Sequence, residues 1–321
     1  MVSAFDYAGS TVISGKLEQY RNEDGDFLAI GTAAAERAYG ANLPEVLPRL
    51  AMFVIHAETI AARKAETVLS FLRRQGFALL LARPFEISMP MCETVWRFQA
   101  NVQTPDSMAI RDAIYTHGTS IMLLLRDTRP YAGRPASSRL TLLKGSPDPR
   151  NRDGDSLRSE LGAINNIFGF VHCADEPLDV LRELAIMMPE PALSDLHSHL
   201  ARTFADDTEY DCRSVVESVY AESPEHDIDS ARALRRLLAA VAEVDGGGAR
   251  AQTLRASLVE RDQNLDWFVF SKELRELGID PLGWDPLIVA GDRVPYDVPG
   301  RVKLIPSFTE LVRSKGELRY A

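Results

Sequence analysis

Four apolar runs, set apart by segments of helical spacing, constrain this chain more than anything else in it. They are "LAMFVIH" (50–56), "FALLLARPFEI" (77–87), "TSIMLLLRD" (119–127) and "NNIFGFVH" (165–172). Each is a short apolar stretch bounded by turn residues, the pattern of a buried strand. Between them, "ETIAARKAETVLSFLRRQG" shows helical spacing and stops at Gly76, a residue suited to a helix C-terminus. "MCETVWRFQANV", "DSMAIRDAIYTHG" and "DEPLDVLRELAIM" also read as helices, the last with Pro177 at an allowed early position. Residues 129–162 are polar and rich in Gly, Pro and Arg, and are expected to be a long loop with at most one short helix. Strand–helix–strand–helix–strand–loop–strand–helix predicts an α+β fold, with helices on a ferredoxin-like antiparallel sheet.

The flanks differ in texture. "TVISGKLEQY" and "FLAIGTAA" around "RNEDGD" suggest a hairpin within residues 1–47. Residues 191–285 are mostly helical in pattern, with "DGGGAR" (245–250) expected as a helix–helix turn, and "GDRVPYDVPGRVKLIPS" as an extended, wrapping tail. With 321 residues, more than one unit is expected. The divisions are an N-terminal extension (1–47), a sheet-bearing domain (48–190) and a mainly helical C-terminal domain (191–321).

Composition narrows the function. A net charge of −10 argues against nonspecific nucleic-acid binding, though a local basic pocket stays open. No apolar stretch approaches a membrane span. Three separated cysteines and no CxxC pair argue against a disulfide framework or a zinc site. With no leader-like start, a cytoplasmic location is expected.

His172 ends the fourth apolar run, just before a helix. Glu183 lies eleven residues on, about two turns into that helix, where a carboxylate can fix the imidazole's tautomer and raise its basicity. The plainer reading is a satisfied core histidine. Arg134, Arg139, Lys144, Arg150, Arg152 and Arg158 crowd into residues 134–158, and guanidinium groups grip phosphate bidentately. The plainer reading is a solvated basic loop. "DLHSHL" (195–200) has the look of a His-x-His metal motif, but i and i+2 side chains on a helix do not face together, so no metal site is expected.

Taken together, residues about 50–188 resemble the nucleoside diphosphate kinase family. "FVIHAETIAARKAETVLSFLRRQGFALL" is similar to its opening strand and helix, "THGTSIMLLLRD" to its third strand, and "SSRLTLLKGSPDP…GDSLRSELG" to its phosphate loop. "NNIFGFVHCADEPLDVLRE" resembles the segment around its active histidine, with the same eleven-residue spacing to a glutamate. "MPEPALSDL" and "DDTEYDC" resemble its C-terminal tail.

The resemblance implies a ping-pong phosphotransferase, with His172 phosphorylated, Glu183 orienting it, Arg139 and Arg158 gripping phosphates, and Trp96 stacking on the base. Mg²⁺ would arrive with the nucleotide, and a homo-oligomer is implied. The flanking segments point to a dimer rather than the family's larger assemblies. Departures accompany the match: His56 stands at the family's phosphate-contacting lysine, Gly169 at an asparagine, Ala174 at a serine and Gly145 at a loop threonine. Lys144 or Arg150 would have to stand in for the lysine. The alternatives are a noncatalytic nucleotide-binding module with a partner-binding helical extension, and an enzyme of different chemistry in the same cleft.

Overall fold

The computed structural model describes residues 10–129, 133–204, 206, 209–244, 248–260 and 265–316. Its sheet has four strands, β1 (Leu50–Ile55), β2 (Phe77–Phe85), β3 (Ser120–Asp127) and β4 (Val171–Cys173), in the order β2-β3-β1-β4 with every neighbouring pair antiparallel. Every residue of β1 and β3 is buried, as their unbroken apolar runs require of central strands. Pro84 sits in β2, an edge strand, where a missing N–H is tolerated. The β1–β4 register sets His172 opposite Val54.

Helices α1 (Lys16–Glu23) and α2 (Gly25–Tyr39) replace the hairpin expected in the N-terminal extension. The "EDG" stretch is a brief break between two helices, with Asp24 ending one and starting the next. In α2, buried Leu28, Gly31, Thr32 and Ala35 recur at helical spacing, and the Ala-rich "TAAAERA" favours helix. Helices α3 (Ala57–Ala61) and α4 (Ala65–Arg74) form one expected helix interrupted at Arg63, whose φ is +56°. Helices α5 (Met89–Val95) and α6 (Arg97–Ala100) likewise break at Trp96. Next comes α7 (Pro105–Tyr115), capped by the Thr104 hydroxyl.

The supposed long loop holds more helix than its composition suggests, α8 (Ala136–Lys144) and α9 (Leu157–Glu160). Ala136, Ser137, Leu140, Thr141 and Lys144 are buried at three- and four-residue spacing, so packing overrides the polar composition. The fourth strand is shorter than predicted. Phe170 has φ +65° and Val171 N–H donates to Gly169 O, a γ-turn that confines extended backbone to three residues. Helix α10 (Pro177–Met187) follows, and α2 packs along it. A Cβ at Gly31 would fall 2.1 Å from Leu181 O, so only glycine permits this approach.

The C-terminal region is helical as expected: α11 (Glu190–Thr203), α12 (Arg213–Glu222), α13 (Ser230–Glu243), α14 (Ala249–Val259), α15 (Trp267–Glu276), α16 (Trp284–Gly291) and α17 (Phe308–Lys315). Within "DGGGAR", residues 245–247 lie outside the described residues. Arg63 donates to Tyr220 O and Ser223 O, and Trp284 stacks on His117 at 4.0 Å, which ties these helices to the sheet-bearing part. One contiguous buried cluster runs from Ile13 to Ile305. The segment after α16 crosses the molecule in extended form, bridging Gln103 to Asp297. No helix among the described residues is long and apolar enough to cross a membrane.

Candidate active site

The carboxyl end of α10's first two turns, β4 and the loop after α8 enclose a cavity of about 260 Å³. His172 projects from β4 into it, and Glu183 reaches it from α10. His172 Nε2 lies 2.7 Å from Glu183 Oε2, with both side chains nearly buried (13% and 7% exposed). Helix α10 is held rigidly for this task. Pro177 opens it, and a capping box joins Glu176 and Asp179, with Glu176 N–H donating to Asp179 Oδ2 at 2.9 Å.

The strained turn before His172 is pinned on every side. Phe170 N–H donates to Glu58 Oε1, while Phe170 O accepts from His56 N–H and the Thr59 hydroxyl. Left-handed backbone is uncommon for a bulky residue and persists only where its surroundings over-determine it. Here it aims the next strand residues, and with them the imidazole.

Six of the residues expected from sequence meet at the cavity: His172, Glu183, Trp96, Lys144, Arg150 and Arg158. Trp96 stands edge-on to His172, with ring centroids 5.1 Å apart, and is packed on Tyr115 at 4.8 Å with the Arg111 guanidinium 6.0 Å from its ring. It therefore walls the histidine more than it offers a free face to a base. Arg158 is buried and donates to three backbone carbonyls, Gly169 (2.9 Å), Gly145 (2.8 Å) and Val171 (2.8 Å). Burial lowers its pKa, against the opposing pull of nearby groups that include Asp175. Arg152 similarly donates to Ser146 O (3.0 Å), Pro147 O (2.6 Å) and Ala163 O. Much of the basic loop thus staples its own backbone. Gly145, the departure from the family threonine, has φ +83°, and a Cβ there would lie 2.5 Å from Ser156 Cβ.

Two expected ligand groups are not brought to the cavity, and both expectations are corrected. Arg139 turns to Asp127 in a bidentate pair (2.6 and 2.8 Å), donates to Gln75 O and covers the Phe77 ring. His56 is fully buried behind Trp96 and Tyr115, with Nδ1 3.4 Å from Glu58 Oε1 and no hydrogen bond at either ring nitrogen. Burial pushes its pKa below the usual histidine value in spite of Glu58. It is not part of the cavity lining.

Lys144 is the least committed of the buried cations. Its Nζ lies 3.5 Å from Cys173 O and 3.9 Å from Asp175 Oδ1. Burial alone would raise Asp175, but Lys144 and Lys16 outweigh it and hold the carboxyl below the ordinary range. The motif at 195–200 lies in α11, where His197 is buried beside Tyr39 and burial takes its pKa down to about 4.

The wider lining contains groups the sequence gave no reason to choose. Tyr20 arrives from α1 and Asp179 from α10, while Tyr296, Asp297, Lys303 and Arg313 arrive from the C-terminal segment. Asn166 also lines the cavity, and its buried Oδ1 has no hydrogen-bond partner. Only long-range packing assembles these residues. The nearest sequence signal was the wrapping tail itself. That tail is latched by Phe308 N–H, which donates to Asp175 Oδ2 at 3.1 Å.

Known structures similar to this one include nucleoside diphosphate kinases. That of Aquifex aeolicus is 14% identical, covering 44% of this chain and 95% of its own, with a TM-score of 0.37. That of Encephalitozoon cuniculi is 12% identical over 44% and 92%, with a TM-score of 0.37. That of Pyrobaculum aerophilum is 14% identical over 45% and 98%, with a TM-score of 0.36. At such identities and scores the likeness says nothing of chemistry. No family model matches the chain, and no curated protein matches it.

Proposed function

We propose that this chain is a nucleotide-dependent phosphotransferase of nucleoside diphosphate kinase type, acting through a phosphohistidine at His172. The observation that carries the reading is the 2.7 Å contact of His172 Nε2 with Glu183 Oε2 at the wall of a polar cavity. A carboxylate at Nε2 keeps a proton there and leaves the lone pair on Nδ1. In the first half-reaction that lone pair attacks the γ-phosphorus of a nucleoside triphosphate. The N–P bond forms as the bond to the bridging oxygen breaks, and the diphosphate leaves with the electron pair. Glu183 offsets the positive charge that develops on the ring. In the second half-reaction a terminal oxygen of an acceptor diphosphate attacks phosphorus, and the N–P electrons return to Nδ1.

Such a transfer depends on positioning and charge neutralisation. Lys144 is the cation best placed to meet the phosphates, with Lys303 and Arg313 at the mouth, while Arg158 shapes the wall. Mg²⁺, when bound with the nucleotide, supplies further neutralisation of phosphate charge. Hard oxygen donors on the lining, Asp297 among them, suit such an ion.

A second reading, nucleotide binding without transfer, draws on Arg139 turned away and His56 buried outside the cavity. Steady-state kinetics separate the two. The transferase reading requires parallel double-reciprocal lines with ATP and a diphosphate acceptor, and their loss in His172→Ala. Nucleotide binding by calorimetry with no exchange at any acceptor concentration leaves only the second reading.

A further inference from the structure

The N-cap Glu176 of helix α10 and its Asp179 and Glu183 follow at spacings of three and four, a stripe of carboxylates on one face. Glu176 and Asp179 are almost wholly buried, and Asp179 and Glu183 both line the cavity. Into this stripe reaches Lys16 of α1, a side chain 1% exposed, with Nζ 2.7 Å from Glu176 Oε2 and 2.7 Å from Asp179 Oδ2. Tyr20, one turn further along α1, donates its hydroxyl to Asp179 Oδ1 at 2.6 Å. We propose that Lys16 is a positioning residue that sets the charge around the His172–Glu183 pair, cancelling the carboxylates that precede Glu183 on its own helix.

The neighbouring cations are committed elsewhere, Lys303 to Glu310 and Arg313 toward Asp153 among those of the C-terminal segment. Arg182, on α10, is committed to Asp24 at 2.7 Å. Lys144, from α8, faces Asp175, and Arg158, from α9, is committed to backbone carbonyls. On the β1 and α3 side stand His56 and Glu58, paired with one another, and on α7 Arg111 is held by Asp112. Without Lys16, the α10 stripe faces Glu183 with no ammonium group. Like charges in a buried site favour uptake of a proton. Burial opposes the ammonium form of Lys16, but Asp179 and Glu176 outweigh it and hold its pKa well above normal. Packing alone does not account for a buried lysine. Replacing all partners of a buried ion pair by apolar groups is often neutral or stabilising, whereas removing one alone leaves buried charge unpaired.

The consequence for phosphoryl transfer rests on the phosphohistidine reading, but the electrostatic link is measurable without it. Removing the ammonium makes the surroundings of His172 more negative, favours its imidazolium form and moves its titration to higher pH. The experiment is an NMR titration of the His172 ring in the full chain. Lys16→Met should raise the midpoint by about one to two pH units, the size of an uncompensated charge one to two helical turns away at an effective dielectric near 20. Asp179→Asn, which keeps Lys16, should lower it, and Lys16→Met with Asp179→Asn should return it near the wild-type value. Lys16→Arg should leave it in place. The acid limb of phosphate labelling at His172 should move with the midpoint. A wild-type chain that takes no label ends the phosphohistidine reading while the titrations still decide the role of Lys16. Midpoints unchanged in Asp179→Asn and in Lys16→Met overturn the proposal. If Lys16→Met does not fold, the Asp179→Asn midpoint decides alone.

Discussion

Replacing Arg158 by methionine removes three donors from buried carbonyls, of which Gly169 O keeps the Val171 N–H. The acceptors are Gly145, Gly169 and Val171, at 2.8–2.9 Å. A buried acceptor left unsatisfied costs about 1–3 kcal/mol, which sums over the other two to about 2–6 kcal/mol if nothing relaxes. Removing the buried guanidinium returns part of that, since burying a charge is itself unfavourable. The expected loss for Arg158→Met is therefore about 2–4 kcal/mol in urea unfolding. Arg158→Lys, with a single ammonium, should fall between this variant and wild type. Hydrogen exchange should rise first at residues 145 and 169–171, which the guanidinium joins. If Arg158 were mainly a phosphate grip, both variants would keep wild-type stability and lose only nucleotide affinity. Arg158→Met within about 1 kcal/mol of wild type refutes the staple.

Gly145→Ala should destabilise by about 2–4 kcal/mol in the same assay, combining left-handed backbone strain with overpacking against Ser156. Asp175→Asn should cost about 1–2 kcal/mol through the loss of charge at Phe308 N–H and Lys144. Because the folded pKa of Asp175 lies below its unfolded one, that difference is full above about pH 4 and vanishes as pH falls through the folded value. Urea titrations of both proteins between acid and neutral pH test this, and a gap that widens on acidification contradicts it. Light scattering at micromolar concentration should give a dimer, and a hexamer counts against it.

The sheet was legible because β1, β2 and β3 are mainly apolar runs bounded by turns and separated by helices. The eleven-residue step from His172 to Glu183 likewise survives folding, since both lie on rigid elements joined by a short turn. What failed was long-range. The N-terminal "RNEDGD" looks like a hairpin turn until Lys16 and Tyr20 are seen buried against Asp179. Arg139 and His56 occupy the right positions in the chain, yet Asp127 captures one and the aromatic wall of Trp96 and Tyr115 encloses the other. The expected strand at 165–172 loses most of its length to the turn at Phe170, which no propensity marks. Tyr296, Lys303 and Arg313 reach the cavity only because the tail crosses Gln103 and latches on Asp175.

Peptide mapping after brief incubation with γ-labelled ATP and Mg²⁺ tests the central claim most directly. The account predicts acid-labile phosphate on the peptide bearing His172, discharged by unlabelled diphosphate and missing in His172→Ala. Label of equal amount in His172→Ala, or none in the wild-type chain, contradicts it.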